Sequence, residues 1–126
     1  MRNHILVIDD DKEILELFNT ILIESGYTVT ILTEIDDIKA TIAAYKPDLV
    51  IIDYLLQGIN GGELCSQIKR DIAITHIPVI LTSAHARVLL SLGTYNCDEF
   101  LEKPFDVNHL IERVTYLLKN VKQALT

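Results

Sequence analysis

Ile5-Leu6-Val7-Ile8-Asp9-Asp10-Asp11 sets four consecutive apolar residues directly against three acidic ones. An uninterrupted apolar run of that length suits a strand buried on both faces, and its abrupt end puts carboxylates at the strand's C-terminal edge. The same device returns at Leu49-Val50-Ile51-Ile52-Asp53. Between the two runs, Ile14, Leu17, Phe18, Ile21 and Leu22 recur at helical spacing from Lys12 to Ser25, and Gly26 ends that helix. Tyr27 to Leu32 is β-branched and reads as a second strand. Thr33 is placed to cap a helix from Glu34 to about Tyr45, with Ile35, Ile38 and Ile42 on its inner face and Pro47 closing it.

Beyond Asp53, the loop Gln57 to Gly62 holds three glycines, and Glu63 to Asp71 looks helical through Leu64, Cys65 and Ile68. Ile77 to Thr82 reads as the fourth strand, Ala84 to Leu92 as a short helix and Glu99 to Glu102 as the fifth strand. Asp106 caps a final helix with Val107, Leu110, Ile111, Val114, Leu117, Leu118 and Val121 on one stripe. Strands that alternate with helices make an α/β fold with a parallel sheet, and right-handed crossovers favour a doubly wound (βα)5 layout. In such sheets ligands sit beyond the carboxyl ends of the strands. Asp9, Asp10, Asp53, Ser83 and Lys103 all fall at or just past strand ends.

The chain has 126 residues, enough for one domain with one core, so 1–126 reads as a single unit. Formal net charge is −7, from 18 acidic and 11 basic residues, which argues against direct nucleic-acid binding because a duplex binder needs a clustered basic surface. The N-terminal apolar run ends in aspartates, so it is neither a signal peptide nor a membrane span, and a cytoplasmic location is expected. Cys65 and Cys97 show no metal-ligand spacing and no paired neighbours, and read as small buried hydrophobes in a reducing compartment. Thr82 reads as a buried strand residue, Asp11 as a helix cap, and His4, His76 and His109 as solvated positions.

Three carboxylates brought together repel one another, so some stay protonated or a cation joins them. A hard cation with oxygen ligands suits them, and Mg²⁺ suits phosphate sites because it keeps several waters. A lysine and a hydroxyl at neighbouring strand ends complete a site for a tetrahedral anion. Phosphoryl transfer needs mainly positioning and charge neutralisation, and the nucleophile would be a carboxylate that becomes an aspartyl phosphate.

Four ordered motifs resemble the receiver domains of response regulators. Ile5 to Asp11 looks like the receiver opening, and Leu49 to Gly61 like the segment with the phosphorylatable aspartate. Pro78-Val79-Ile80-Leu81-Thr82-Ser83-Ala84 is similar to the fourth strand, and Phe100-Leu101-Glu102-Lys103-Pro104-Phe105 to the lysine–proline segment. The resemblance runs from His4 to Leu118. It implies a flavodoxin-like fold with a five-stranded sheet of order 2-1-3-4-5. It also implies a phosphoacceptor of two-component signalling that catalyses only its own phosphorylation and dephosphorylation. Asp53 would be phosphorylated and, with Asp10 and the main-chain carbonyl of Leu55, would ligate Mg²⁺, while Asp9 would act mainly through a bound water. Lys103 would pair with Asp53 or the phosphoryl oxygens, and the Ser83 hydroxyl would bond the phosphoryl group. Phe100 would be the aromatic that reports the switch, and a cis Lys103–Pro104 peptide is expected. His85 stands where the family places a side chain over the phosphoryl site.

The implied partners are a sensor histidine kinase or histidine phosphotransfer protein upstream. Downstream, the resemblance implies a protein target or an output domain missing from this sequence, and it leaves room for a homodimer. The chain stops with its last helix, so it is a free-standing receiver or a piece of a longer regulator. Three departures stand out. Gln57 replaces a usual proline, which should loosen the loop carrying Leu55, and Asn60 replaces a common aspartate. The stretch from Ser83 to Lys103 is about two residues short, so the helix from Ala84 to Leu92 should be short or displaced and among the least stable elements. Two rivals use other chemistry. A haloacid-dehalogenase-like hydrolase would use Asp9 as nucleophile, but Glu13 breaks its motif and the chain lacks length for a cap domain. A flavin-binding module lacks its phosphate loop here. A third reading is a receiver-shaped interaction module that is never phosphorylated.

Overall fold

Alternation along three buried strands divides the core in two. The computed structural model describes residues 2–56, 58–85 and 96–125. In order, they form β1 (His4–Ile8), α1 (Lys12–Glu24), β2 (Thr28–Leu32), α2 (Ile38–Tyr45) and β3 (Leu49–Asp53). A short hairpin of β4 (Leu55–Leu56) and β5 (Ile59–Asn60) follows, then α3 (Gly61–Arg70), β6 (Val79–Ser83), β7 (Glu99–Glu102) and α4 (Val107–Leu125). The main sheet runs β2-β1-β3-β6-β7 with every pairing parallel, which is the expected 2-1-3-4-5 order once the hairpin is set aside.

Ile5, Val7, Leu49, Ile51 and Ile80 face one way and pack with Leu15, Phe18 and Leu22 of α1 and Leu110 and Val114 of α4. Leu6, Ile8, Val50, Ile52, Val79 and Leu81 face the other way, against Ile38 and Ile42 of α2 and Leu64, Cys65 and Ile68 of α3. Each fully buried aliphatic side chain contributes about 1.5–3 kcal/mol, so neither face has room for a charge, and polar chemistry is pushed to the strand ends.

The helix starts are set by aspartates and one asparagine. Asp11 accepts from the amides of Glu13 (3.0 Å) and Ile14 (3.4 Å) and so caps α1, as expected; Gly26, at φ +97°, carries the chain out of it. The expected start of α2 is corrected. Thr33 does not cap it; Asp37 does, accepting from the amides of Lys39 (3.0 Å) and Ala40 (3.3 Å), and the helix begins at Ile38. A carboxylate at a helix N-terminus gains from the dipole as well as the hydrogen bond, which favours Asp37 over a threonine four residues earlier. Ile35 is buried all the same, in the segment before the helix. α3 begins at Gly61 rather than Glu63, because Asn60 accepts from the Gly62 amide at 2.8 Å.

Smaller shifts occur elsewhere. β6 spans Val79–Ser83 rather than starting at Ile77, and β2 starts at Thr28. His4 is not simply solvated: its ring nitrogens lie 2.7 and 2.8 Å from the hydroxyls of Thr28 and Thr30. Ala84 and His85 form a turn, and the rest of the helix expected up to Leu92, with its expected mobility, lies outside the described residues. No described helix is long and apolar enough to cross a membrane.

The cap assignment has a direct check. Asp37→Ala should cost about 1 kcal/mol in chemical denaturation, the usual loss for an N-cap. Thr33→Ala should cost much less, and equal losses would put the cap in the wrong place.

Candidate functional site

Parallel register brings the acidic residues together. Ile8 of β1 is in register with Ile52 of β3, so Asp9 and Asp53 follow side by side at the same sheet edge. The amide of Lys103, just past β7, donates to the Ser83 carbonyl at 2.8 Å, which brings that lysine to the same edge. Its ammonium reaches Asp9 Oδ2 at 2.8 Å and Asp53 Oδ1 at 3.3 Å. The other Asp9 oxygen accepts from the Asp11 amide at 2.9 Å, so both of its oxygens are engaged. Asp9 is 1% exposed and Asp53 8%, whereas Asp10 is open to solvent. One oxygen from each of Asp9, Asp10 and Asp53 lies within 4.8 Å of the others.

Three carboxylates against one ammonium leave the cluster short of positive charge. Burial pushes the Asp53 carboxyl above the usual carboxylate range, and the charges of Asp9 and Asp10 add to that against the opposing pull of Lys103. For Lys103, burial works to lower the pKa. The hydrogen bond to Asp9 and the charges of Asp53 and Asp9 together outweigh it, so its proton is held more tightly than usual. The donor set is all oxygen and hard, the chemistry that Mg²⁺ prefers, so the residues fit such an ion.

The other expected site residues lie on β6, β7, the hairpin and the segment after β7. Ser83 ends β6, is 3% exposed, and its hydroxyl accepts from the His85 amide at 2.9 Å. Thr82 is a buried strand residue in register with Asp53, and its hydroxyl has no partner among the described residues. Phe100 of β7 is half-buried, in register with Leu81. Leu55 is exposed on the hairpin, in register with Asn60. The Lys103–Pro104 peptide is cis.

Three features were not singled out from sequence. Gly61 lies so close to β3 that a Cβ there would strike the Asp53 carbonyl oxygen, while its amide donates to the Tyr54 carbonyl at 2.8 Å. Glycine spacing alone does not reveal such a contact. Glu34, read as helical, lies instead ahead of α2 and shares with Asp10 a cleft of about 210 Å³. Cys65 and Cys97, read as unpaired, have their sulfurs 2.6 Å apart.

The sequence model of the response regulator receiver domain matches residues 5–115. A curated relative, the DNA-binding dual master transcriptional regulator RpaA of Synechocystis, is 34% identical over 91% of this chain and 48% of its own length. The chain thus spans about half the length of the curated relatives it first matches, the MtrA response regulators of mycobacteria among them. Among solved structures, the receiver domain of a signal transduction histidine kinase from Syntrophus aciditrophicus is 30% identical with a TM-score of 0.79, covering 95% of this chain and 92% of that one. A CheY-like receiver domain protein from Methanospirillum hungatei shares the fold at a TM-score of 0.83 and 23% identity, covering 98% of this chain and 99% of that one.

The raised pKa of Asp53 fixes the sign of a stability effect. The folded state holds this proton more tightly than the unfolded chain, so ionised Asp53 costs stability above the folded pKa, and the cost fades as pH falls through it. Asp53→Asn should therefore raise the thermal midpoint at neutral pH in chelator. The gain should disappear below the usual carboxylate range. A midpoint lowered at neutral pH would contradict the charge imbalance.

Proposed function

The chain belongs to the response regulator receiver domain family of two-component signalling, and we propose that residues 1–126 work as a single phosphoacceptor switch whose acceptor is Asp53. The observation that carries this reading is the convergence of Asp9, Asp10 and Asp53 with one compensating lysine at the edge of the sheet. Asp53 is favoured over Asp9 as nucleophile because Asp9 already spends both oxygens, one on the Asp11 amide and one on Lys103. That also disfavours the hydrolase reading, which needs Asp9 to attack.

Asp10, one oxygen of Asp53 and the Leu55 carbonyl would hold Mg²⁺, with Asp9 acting through water. When bound, the ion supplies the positive charge that the carboxylates lack and that an incoming phosphoryl group requires. The free oxygen of Asp53 attacks phosphorus in line with the donor's leaving group, forming an aspartyl phosphate. Lys103 then exchanges its Asp53 contact for a phosphoryl oxygen, which its tightly held proton favours. The Ser83 hydroxyl turns from the His85 amide to donate to another phosphoryl oxygen. That movement frees space beside β6 into which Phe100 turns, so the chemical event reaches a protein-contact surface. In this reading the chain catalyses no reaction other than its own phosphorylation and dephosphorylation. The phosphoryl group comes from a cytoplasmic histidine kinase or phosphotransfer protein, and the output is a protein target or a domain joined to this one.

With Mg²⁺ and a small acyl phosphate donor, intact mass should show one added phosphoryl group, mapped to Asp53 and absent in Asp53→Asn. Lys103→Ala should keep metal binding yet lose the phosphorylation-driven change at Phe100. A label on Asp9, or undiminished labelling of Asp53→Asn, would overturn the assignment.

A further inference from the structure

We propose that Cys65 and Cys97 form an oxidation site, converted by a hydroperoxide into an intramolecular disulfide that ties α3 to the segment entering β7. The Cys97 thiol donates to Cys65 Sγ at 2.6 Å. The two sulfurs are thus already in contact, and an S–S bond between them needs no rearrangement of the fold. They come from distant parts of the chain: Cys65 lies within α3, and Cys97 precedes β7.

A second contact holds the same two segments together. Lys69, one turn along α3 from Cys65, pairs with Asp98, next to Cys97, at 2.7 Å. The Lys69 ammonium also donates to the carbonyls of Ile77 (2.7 Å) and Thr75 (3.1 Å), and the Asp98 carboxylate accepts from the Val79 amide at 2.7 Å. The thiols are therefore apposed by a framework that does not depend on them.

Burial assigns the order of events. Cys97 is half-buried and within reach of a small oxidant, whereas Cys65 is fully buried. Cys97 sulfur attacks one peroxide oxygen, the O–O bond breaks, and an alcohol departs with the thiol proton, leaving a sulfenic acid. Cys65 sulfur then attacks that sulfur; the S–S bond forms, the S–O bond breaks, and water departs with the Cys65 proton. The pair loses two electrons and the hydroperoxide is reduced to alcohol and water. The hydrogen bond to Cys65, then burial, hold Cys97 as a thiol against the pull of Lys69. Phe100 and Cys97 pack against the core cluster that contains Cys65, so the tie would fix the chain beside the proposed switch residue. The site needs neither phosphate nor metal, and stands or falls apart from the phosphoacceptor reading.

The test treats the purified full chain with hydrogen peroxide in chelator and then alkylates it after denaturation. Both thiols should be lost to alkylation, a Cys65–Cys97 linked peptide should appear, and a dithiol reductant should restore both thiols. The thermal midpoint should rise on oxidation, since a cross-link restricts the unfolded chain. In Cys65→Ser, a cyclic 1,3-diketone should trap a sulfenic acid on Cys97. Two thiols still open to alkylation, sulfinic acid on Cys97 beside an intact Cys65 thiol, or disulfides between chains would each overturn the proposal.

Discussion

The Lys103 ammonium sits between two carboxylates that the sheet forces together. Parallel pairing of β1 with β3 leaves Asp9 and Asp53 no choice but adjacency, and both are almost completely buried. Removing the Lys103 ammonium would leave both buried carboxylates uncompensated, a loss of about 3–5 kcal/mol, whereas removing Asp53 leaves the lysine still paired with Asp9. One ammonium cannot serve both carboxylates and Asp10 as well. The fold therefore carries a built-in shortage of positive charge at one edge, and the proposed roles of a cation and a phosphoryl group there rest on that shortage.

Much of this was legible because the strands are blunt. In β1 and β3 four apolar residues run straight into aspartate, so strand, strand end and site could be read in one stroke. Lys103 could be placed at the same edge from its position just past the fifth strand, and its pairing with Asp53 from the family resemblance, but its contact with Asp9, 94 residues away, left no pattern along the chain. The start of α2 was misread for a local reason. Thr33, Asp36 and Asp37 are all capping types, and choosing among them depends on where Ile38 must sit in the core. Gly61 and the two cysteines were opaque for a different reason: what matters at each is a neighbour distant in sequence or a backbone atom, and neither leaves a pattern along the chain.

α3 joins these features. Its first residue, Gly61, rests against the Asp53 carbonyl, Asn60 caps it, and Cys65 and Lys69 in its body meet the segment that leads into β7. One helix thus touches the backbone of the proposed acceptor at its start and the neighbourhood of Phe100 one to two turns later.

The charge shortage is tested most directly by the thermal midpoint measured as a function of Mg²⁺ concentration. A ligand that binds only the folded state stabilises it by an amount that grows with the logarithm of its concentration above Kd. The midpoint of the unmodified chain should climb steadily with added Mg²⁺ at fixed ionic strength, and the climb should be largely lost in Asp10→Ala. A midpoint that ignores Mg²⁺, or one that climbs equally without the Asp10 carboxylate, would contradict the account.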